Sequence, residues 1–286
     1  MTSFQLLVGA LICFFMVLRP FFYKPCAQYF PAELSVAFTA TWLMLGLAIT
    51  FPFFSEPLIE NIPNMIFAPY FWISVAKGVL LWWMIKLQQI INKDSTSTSV
   101  FFGFIALALS SLCNNLFFHE GLKLFQILCI CGFGVLGLFF VIIGDAKRLS
   151  AKGKIAFVII VIFGAFFSVS DHLVIPQIGW YAHLFISSLA MFIACLLHGI
   201  GKDDFINMFK NKTMASAGLI YVVSEFLIIF ASINILPVSF VAMFMRMAAP
   251  IVMIISAHKY KEQTVRNQLI FGGIAFLLAL PLIFFK

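Results

Sequence analysis

The chain has 286 residues, 63% of them hydrophobic and 10% charged, with a mean hydropathy of +1.08. Soluble domains carry roughly 25% charged residues, so the composition excludes a chain built to be solvated on its outside. The formal net charge of +7 implies no nucleic-acid partner, because its basic residues sit in short loops between apolar runs.

Ten apolar runs follow one another, at about 4–22, 33–54, 66–90, 97–117, 122–143, 154–175, 179–199, 213–235, 238–257 and 267–285. Each approaches the roughly 20 residues that a helix needs to cross a bilayer. The first lacks the basic start and small-residue cleavage site of a signal peptide, and reads as a mature helix. The polar stretches Glu56 to Asn64, Asp145 to Lys154 and Gly201 to Thr213 are too short to bury a core. Connectors as short as 175–178 and 235–237 make consecutive helices antiparallel neighbours. The runs do not alternate with period two, which excludes a closed barrel. The expected fold is an all-α integral membrane protein of ten transmembrane helices.

The halves echo each other. The stretch from Ser99 to Glu120, followed by Gln126 and a run bearing Gly132, Gly134 and Gly137, matches the stretch from Ser239 to Glu262, followed by Gln268 and a run bearing Gly272 and Gly273. This implies two five-helix repeats, residues 1–145 and 146–286. Five is odd, so the second repeat enters the membrane from the opposite side, the arrangement of many alternating-access transporters. On these marks the chain resembles the EamA-like, ten-helix branch of the drug/metabolite transporter superfamily. Pro250, midway along the ninth run, also fits that family, whereas the fourth run has Leu109 and Ser110 at the equivalent place. The resemblance implies a central cavity surrounded by helices 1 to 4 and 6 to 9, with helices 5 and 10 as scaffold.

Fourteen of the 18 Lys and Arg residues fall in the loops after runs 1, 3, 5, 7 and 9. The positive-inside rule then places both termini outside the cytoplasm, in what reads as a bacterial cytoplasmic (inner) membrane. Familiar members of the family mostly have both termini inside.

Few charges lie within the runs, and these are the candidate site. Arg246, in the stretch AMFMRMAAPIV at 242–252, stands near the midplane of the ninth run, where an arginine costs roughly 2.5–3.5 kcal/mol to insert. Such a position lines a cavity or forms a structural ion pair. Lys77, halfway along the third run, reaches the cavity or snorkels to an interface. Glu225, mid-way along the eighth run, has three readings: a bridge to Arg246, a ligand for a cationic part of the substrate, or a proton-coupling carboxylate. Asp171, beside His172 at the end of the sixth run, is a second proton-coupling candidate at one mouth of the cavity. Arg19 holds the corresponding place on the first run and reads as an interfacial residue satisfied by water. Asn114 and Asn115 suit ligand binding or helix joining. Trp82 and Trp83 suit stacking on a flat ligand or an interfacial belt. The run Ser95 to Ser99 reads as the cap and first turn of the fourth helix. Asn211 to Thr213 spells a glycosylation sequon, moot in a cytoplasmic loop.

A guanidinium grips carboxylate or phosphate, and a carboxylate holds an amine, so the set suits an amino acid or nucleotide-like compound. In the resembled family a subgroup that includes S-adenosylmethionine carriers has an Arg at this place in helix nine and an Arg-Gly in helix three. Arg246 and Lys77-Gly78 stand there, without the aromatic and acidic companions of that helix-nine arginine. The expected function is secondary transport of a small zwitterionic or anionic metabolite by alternating access. Expected partners are that solute, the lipid bilayer and a proton, with the chain a monomer or homodimer, and no cofactor. The alternatives are a membrane sensor or assembly protein, and an intramembrane enzyme. Neither metal nor catalytic spacing supports the enzyme, since His119, His172, His183, His198 and His258 are scattered over different segments and the six cysteines show no CxxC.

Overall fold

The computed structural model describes residues 2–54, 66–118, 123–143, 149–198, 201–236, 238–261, 270–275 and 277–278. Within them the chain is helical, with no strand. The helices are α1 (Ser3–Tyr29), α2 (Ala32–Phe54), α3 (Pro69–Asp94), α4 (Thr96–Phe118), α5 (Leu124–Ile143), α6 (Ala151–Ile178), α7 (Trp180–Leu197), α8 (Lys202–Lys210), α9 (Lys212–Asn234) and α10 (Val238–Tyr260). Residues 270–275 are helical as well. Glu120, Glu262 and Gln268, which carry part of the expected repeat, lie outside the described residues.

Six of these helices are long and apolar enough to cross a bilayer: α1, α2, α3, α6, α7 and the Lys212–Ser232 part of α9. Their outer surfaces are apolar too. Leu7, Phe14, Ile49, Phe53, Ile162 and Leu197 are all exposed, a distribution that water would penalise and lipid accepts. The molecule is an all-α membrane protein.

Local chemistry sets the helix ends. Thr2 and Gln5 form a reciprocal capping box at the start of α1, where Gln5 N donates to Thr2 Oγ1 at 3.2 Å and Thr2 N donates to Gln5 Oε1 at 2.9 Å. Pro69 occupies the first turn of α3, where its missing N–H costs nothing. Ser150 caps α6 by accepting from Gly153 N at 3.1 Å, and is itself held by Asp94 Oδ2, which accepts from the Ser150 hydroxyl at 2.9 Å. The Asn211 side chain caps α9, accepting from the N–H groups of Thr213 and Met214. This residue of the sequon therefore has a structural task. Gly179, at φ +81°, is the single residue between α6 and α7, a conformation glycine adopts at little cost.

Two expectations are corrected. The first run was expected to end near residue 22, but α1 continues to Tyr29 through Pro20 and Pro25. The stretch Gly201 to Thr213, read as a polar loop, contains α8, whose Phe209 ring packs against Phe38 and Trp42 at centroid distances of 5.3 and 6.3 Å.

Contacts between helix ends define two faces. At one, Gln5 at the start of α1 donates to Ile235 O after α9 at 2.9 Å, and Tyr181 at the start of α7 donates to Leu47 O of α2 at 2.6 Å. At the other, Lys86 near the end of α3 pairs with Glu33 at the start of α2 at 2.6 Å, and Lys24 of α1 lies over the Tyr260 ring of α10. In the packing, α1 rests mainly on α9 and α10, and α6 mainly on α3 and α4. The largest buried cluster joins α1, α2, α3, α7 and α9 through residues such as Tyr23, Phe38, Leu43, Trp82, Met191 and Tyr221. Interior hydroxyls on Thr39, Thr41, Ser170, Ser187 and Ser224 donate back to carbonyls three or four residues earlier, so they enter the apolar core satisfied.

Candidate functional site

Two clusters of charge lie within the bundle, one toward the face where α1 begins and one nearer its middle. The first is built on α3, α6 and α7. Ser74 and Lys77 are three residues apart on one side of α3. Asp171 is seven residues before the end of α6, and His183 stands in the first turn of α7. The tight turn at Gly179 folds α7 back on α6 and brings His183 to Asp171. Lys77 Nζ donates to Asp171 Oδ1, and His183 Nε2 lies 2.8 Å from the same oxygen and 3.2 Å from Lys77 Nζ. His183 Nδ1 lies 2.7 Å from Ser74 Oγ, which in turn is 2.9 Å from Tyr70 O. Ser74 and His183 are buried, at 0% and 2% exposure, and the Lys77 side chain is 14% exposed. Lys77 therefore stays inside and does not snorkel. At a rise of 1.5 Å per residue, Asp171 is about 10 Å from the end of α6, on the face where α1 begins.

The second cluster joins α1 to α9. Arg19 Nη2 donates to Glu225 Oε1 at 2.5 Å, and its guanidinium lies over the Tyr221 ring at 4.4 Å. Arg19 Nη1 also contacts Met16 Sδ at 3.4 Å, while its buried Nε has no hydrogen-bond partner among the described residues. Tyr23 packs beside Tyr221 with ring centroids 6.3 Å apart. Arg19 was expected at the water interface, yet its side chain is only 12% exposed. The cause is the longer α1, which carries Arg19 about 15 Å below the end of the helix. Glu225 lies nine residues from the end of α9, which is at the opposite face, so this cluster sits near the middle of the bundle.

The expected partner of Glu225 was Arg246; the structure gives it Arg19. Arg246 is on α10, and its side chain lies outside the described residues, as does that of Asn114 on α4. Asn115 is half-buried on α4. Trp82 is buried midway along α3, its ring 4.2 Å from that of His198 and 5.2 Å from Lys86 Nζ. Trp83 is exposed on the outer surface. His172 stacks on Phe118 at 4.2 Å, away from the Asp171 cluster. An apolar groove of about 390 Å³ runs along α3 and α7, between Phe71, Val75, Val79, Phe185, Leu189 and Ile193. None of the candidate site residues lines it.

His183 was passed over in the sequence because its neighbours there are unremarkable. The signal was present in the short connector expected at 175–178, which lays the early residues of the seventh run against the last of the sixth; in the structure α6 runs on to Ile178 and Gly179 alone makes the turn. The aromatic partners of the second cluster were legible too, since Arg19 and Tyr23, and likewise Tyr221 and Glu225, are spaced i, i+4.

Chemically, both clusters can release a charged group on each side of a bridge. Removing one partner of a buried pair costs about 3–5 kcal/mol. That figure applies where Lys77 or Arg19 is left alone and falls where Asp171, its side chain 39% exposed, is the one left, so opening is favoured by a replacement ligand or a proton. No metal-binding group of three or more His, Cys, Asp or Glu occurs among the described residues. No family model matches the chain, and no curated protein matches it in sequence.

Proposed function

We propose that the chain is a secondary transporter, an EamA-like protein of ten spans in two inverted five-helix repeats, residues 1–145 and 146–286. It moves a small zwitterionic or anionic metabolite across the bacterial cytoplasmic membrane by alternating access. The observation that carries this reading is that the two lysine and arginine ion pairs seen inside the bundle among the described residues join one half to the other: Lys77 of α3 to Asp171 of α6, and Arg19 of α1 to Glu225 of α9. The packing pattern supports it, because α1 with α9 and α10 has its counterpart in α6 with α3 and α4 under an exchange of the halves. Arg19 and Asp171 stand on corresponding helices of the two halves, α1 and α6, as do Lys77 and Glu225 on α3 and α9, so the two ion pairs join the same pair of positions in the repeat with their polarity reversed.

The first half thus supplies two cations and the second half two carboxylates. When the halves part, a solute bearing both charges can take the place of a lost partner on each wall, its carboxylate on Lys77 or Arg19 and its amine on Asp171 or Glu225. Arg246, on the second half, adds a guanidinium for an anionic group. The test is uptake into proteoliposomes of a labelled panel of amino acids, nucleotides and organic anions. At least one zwitterionic member is expected to enter faster than into empty liposomes, with Asp171→Asn and Glu225→Gln abolishing the difference. If no member of the panel moves with the wild-type protein, the reading fails.

A further inference from the structure

We propose that His183 is a proton-binding switch: on protonation it takes the Asp171 carboxylate from Lys77, and thereby unties the two halves at the face where α1 begins. The proposal rests on the transport reading for its role in a cycle, whereas the switch itself is testable without any solute.

The argument is a hydrogen-bond account of three atoms. Asp171 Oδ1, Lys77 Nζ and His183 Nε2 form a triangle whose edges at His183 measure 2.8 Å to the carboxylate and 3.2 Å to the ammonium. A neutral imidazole has one N–H. If that hydrogen is on Nδ1, it is donated to Ser74 Oγ and the Ser74 hydroxyl donates on to Tyr70 O. Nε2 then accepts from Lys77, but faces the carboxylate oxygen as acceptor against acceptor. If the hydrogen is on Nε2, it is donated to Asp171, and Lys77 faces a second donor. Either neutral form leaves one edge of the triangle mismatched, and Lys77 supplies the positive charge that holds Asp171.

A second proton changes the balance. Both ring nitrogens then donate, Nε2 to Asp171 and Nδ1 to Ser74 Oγ, and the chain from Asp171 through His183 and Ser74 to Tyr70 O is consistent at every link. Two cations now compete for one carboxylate, and they are unequally fixed. His183 is held at both nitrogens and is 2% exposed, whereas Lys77 sits on a flexible four-carbon stem. Lys77 leaves. His183 and Asp171 belong to the same half of the chain and Lys77 to the other, so the exchange converts a tie between halves into one within a half. Among the described residues, the hydrogen bonds and ion pairs of the cluster involve no other charged side chain. Near the cluster α3 brings Lys77 and Tyr70, α6 brings Asp171 and His172, and α7 brings His183 and Tyr181. The one acidic residue of α2, Glu33, is at the opposite face on Lys86, and α4 carries no Asp, Glu, Lys, Arg or His.

Double electron–electron resonance between spin labels at positions 67 and 177 reads the tie directly. Phe67, 89% exposed, precedes α3, and Gln177 is exposed near the end of α6. Labels attached through ketone-bearing residues leave the native cysteines in place. Between about pH 8 and about pH 5, a range that spans ordinary imidazole titration, the wild-type distance distribution is expected to gain a longer component. His183→Gln should keep the alkaline distribution at both pH values; His183→Lys and Lys77→Gln should show the acidic one at both. An unchanged wild-type distribution overturns the proposal, as does a His183→Gln protein, monodisperse and normally helical, that still responds to pH. A wild-type shift with no solute moved by the panel upholds the switch and sinks the transport reading instead.

Discussion

At Gly78 the backbone of α3 meets that of α7 directly, and replacing the glycine with alanine measures how tightly they are locked. A Cβ at this position would lie 2.1 Å from Ser187 O, 2.9 Å from Ser187 C and 2.8 Å from the Ala190 Cβ. A carbon and a carbonyl oxygen rest at about 3.3 Å or more. Two of the three obstructing atoms are backbone, so no rotamer change relieves the clash, and the helices must separate by about 1 Å. Overpacking of this kind costs about 1–3 kcal/mol, toward the upper end where backbone must move. Alanine returns up to about 1 kcal/mol of helix propensity. The net loss is about 1–2 kcal/mol, a fall in Tm of about 2–8 °C for a chain of this size. Thermal unfolding in detergent, followed by circular dichroism, measures it. Gly273→Ala is the control, because nothing lies within 4 Å of its added Cβ, and its Tm should not fall. An unchanged Tm for Gly78→Ala would refute the close crossing, and with it the positioning of Lys77 against His183 one residue away.

Four further outcomes follow from the same geometry. Arg19→Met and Glu225→Leu should each destabilise the protein by about 3–5 kcal/mol, and the double variant by much less, since it leaves no unpaired charge; a double loss equal to the sum of the singles would deny the pairing. Lys77→Asp and Asp171→Lys should each lower the thermal stability of the purified protein, and the exchanged pair should recover only part of it, because His183 then faces a lysine; full recovery would remove His183 from the cluster. Asn211→Ala should lower stability by about 0.5–2 kcal/mol through the lost cap on α9, again read by thermal unfolding. A reporter fused to the C-terminus should be active only on the non-cytoplasmic side, and a cytoplasmic signal would reverse the orientation drawn from the Lys and Arg residues.

Helix positions were legible because a bilayer reads apolarity almost alone. Expected runs such as 33–54 and 213–235 coincide closely with α2 and α9. The end of α1 was not, because Arg19, Pro20, Lys24 and Pro25 together resemble a stop. In the bundle, Glu225 and the rings of Tyr221 and Tyr260 supply the partners that allow the helix to continue. For α8 the misleading feature was charge, and the deciding one was Phe209, whose packing against α2 no local pattern announces. The individual intramembrane charges Lys77, Glu225 and Asp171 stood out by their insertion cost, but who pairs with whom depends on helix neighbours distant in sequence. That is why the readings of Glu225 include a bridge to Arg246 on the next helix but none to Arg19 on the first, which lies beside it. His183 shows the same limit: its significance comes from Asp171 and Lys77, on two other helices.

The prolines inside the helices stand close after the charges. Pro20 follows Arg19 directly and Pro25 follows Lys24; Pro176 comes five residues after Asp171, and Pro250 four after Arg246, while Pro52 of α2 is the exception. Each proline removes one rung of the helical ladder and crowds the carbonyl four residues back. Bending stiffness is therefore lowest within about a turn and a half of the ionic residues and higher elsewhere along the same rods. Stress applied at the membrane faces concentrates where the charges are held. A small rotation there lengthens an ion pair without disturbing the apolar packing of the helix ends, so the compliance of this bundle is coupled to its electrostatics by where the prolines fall.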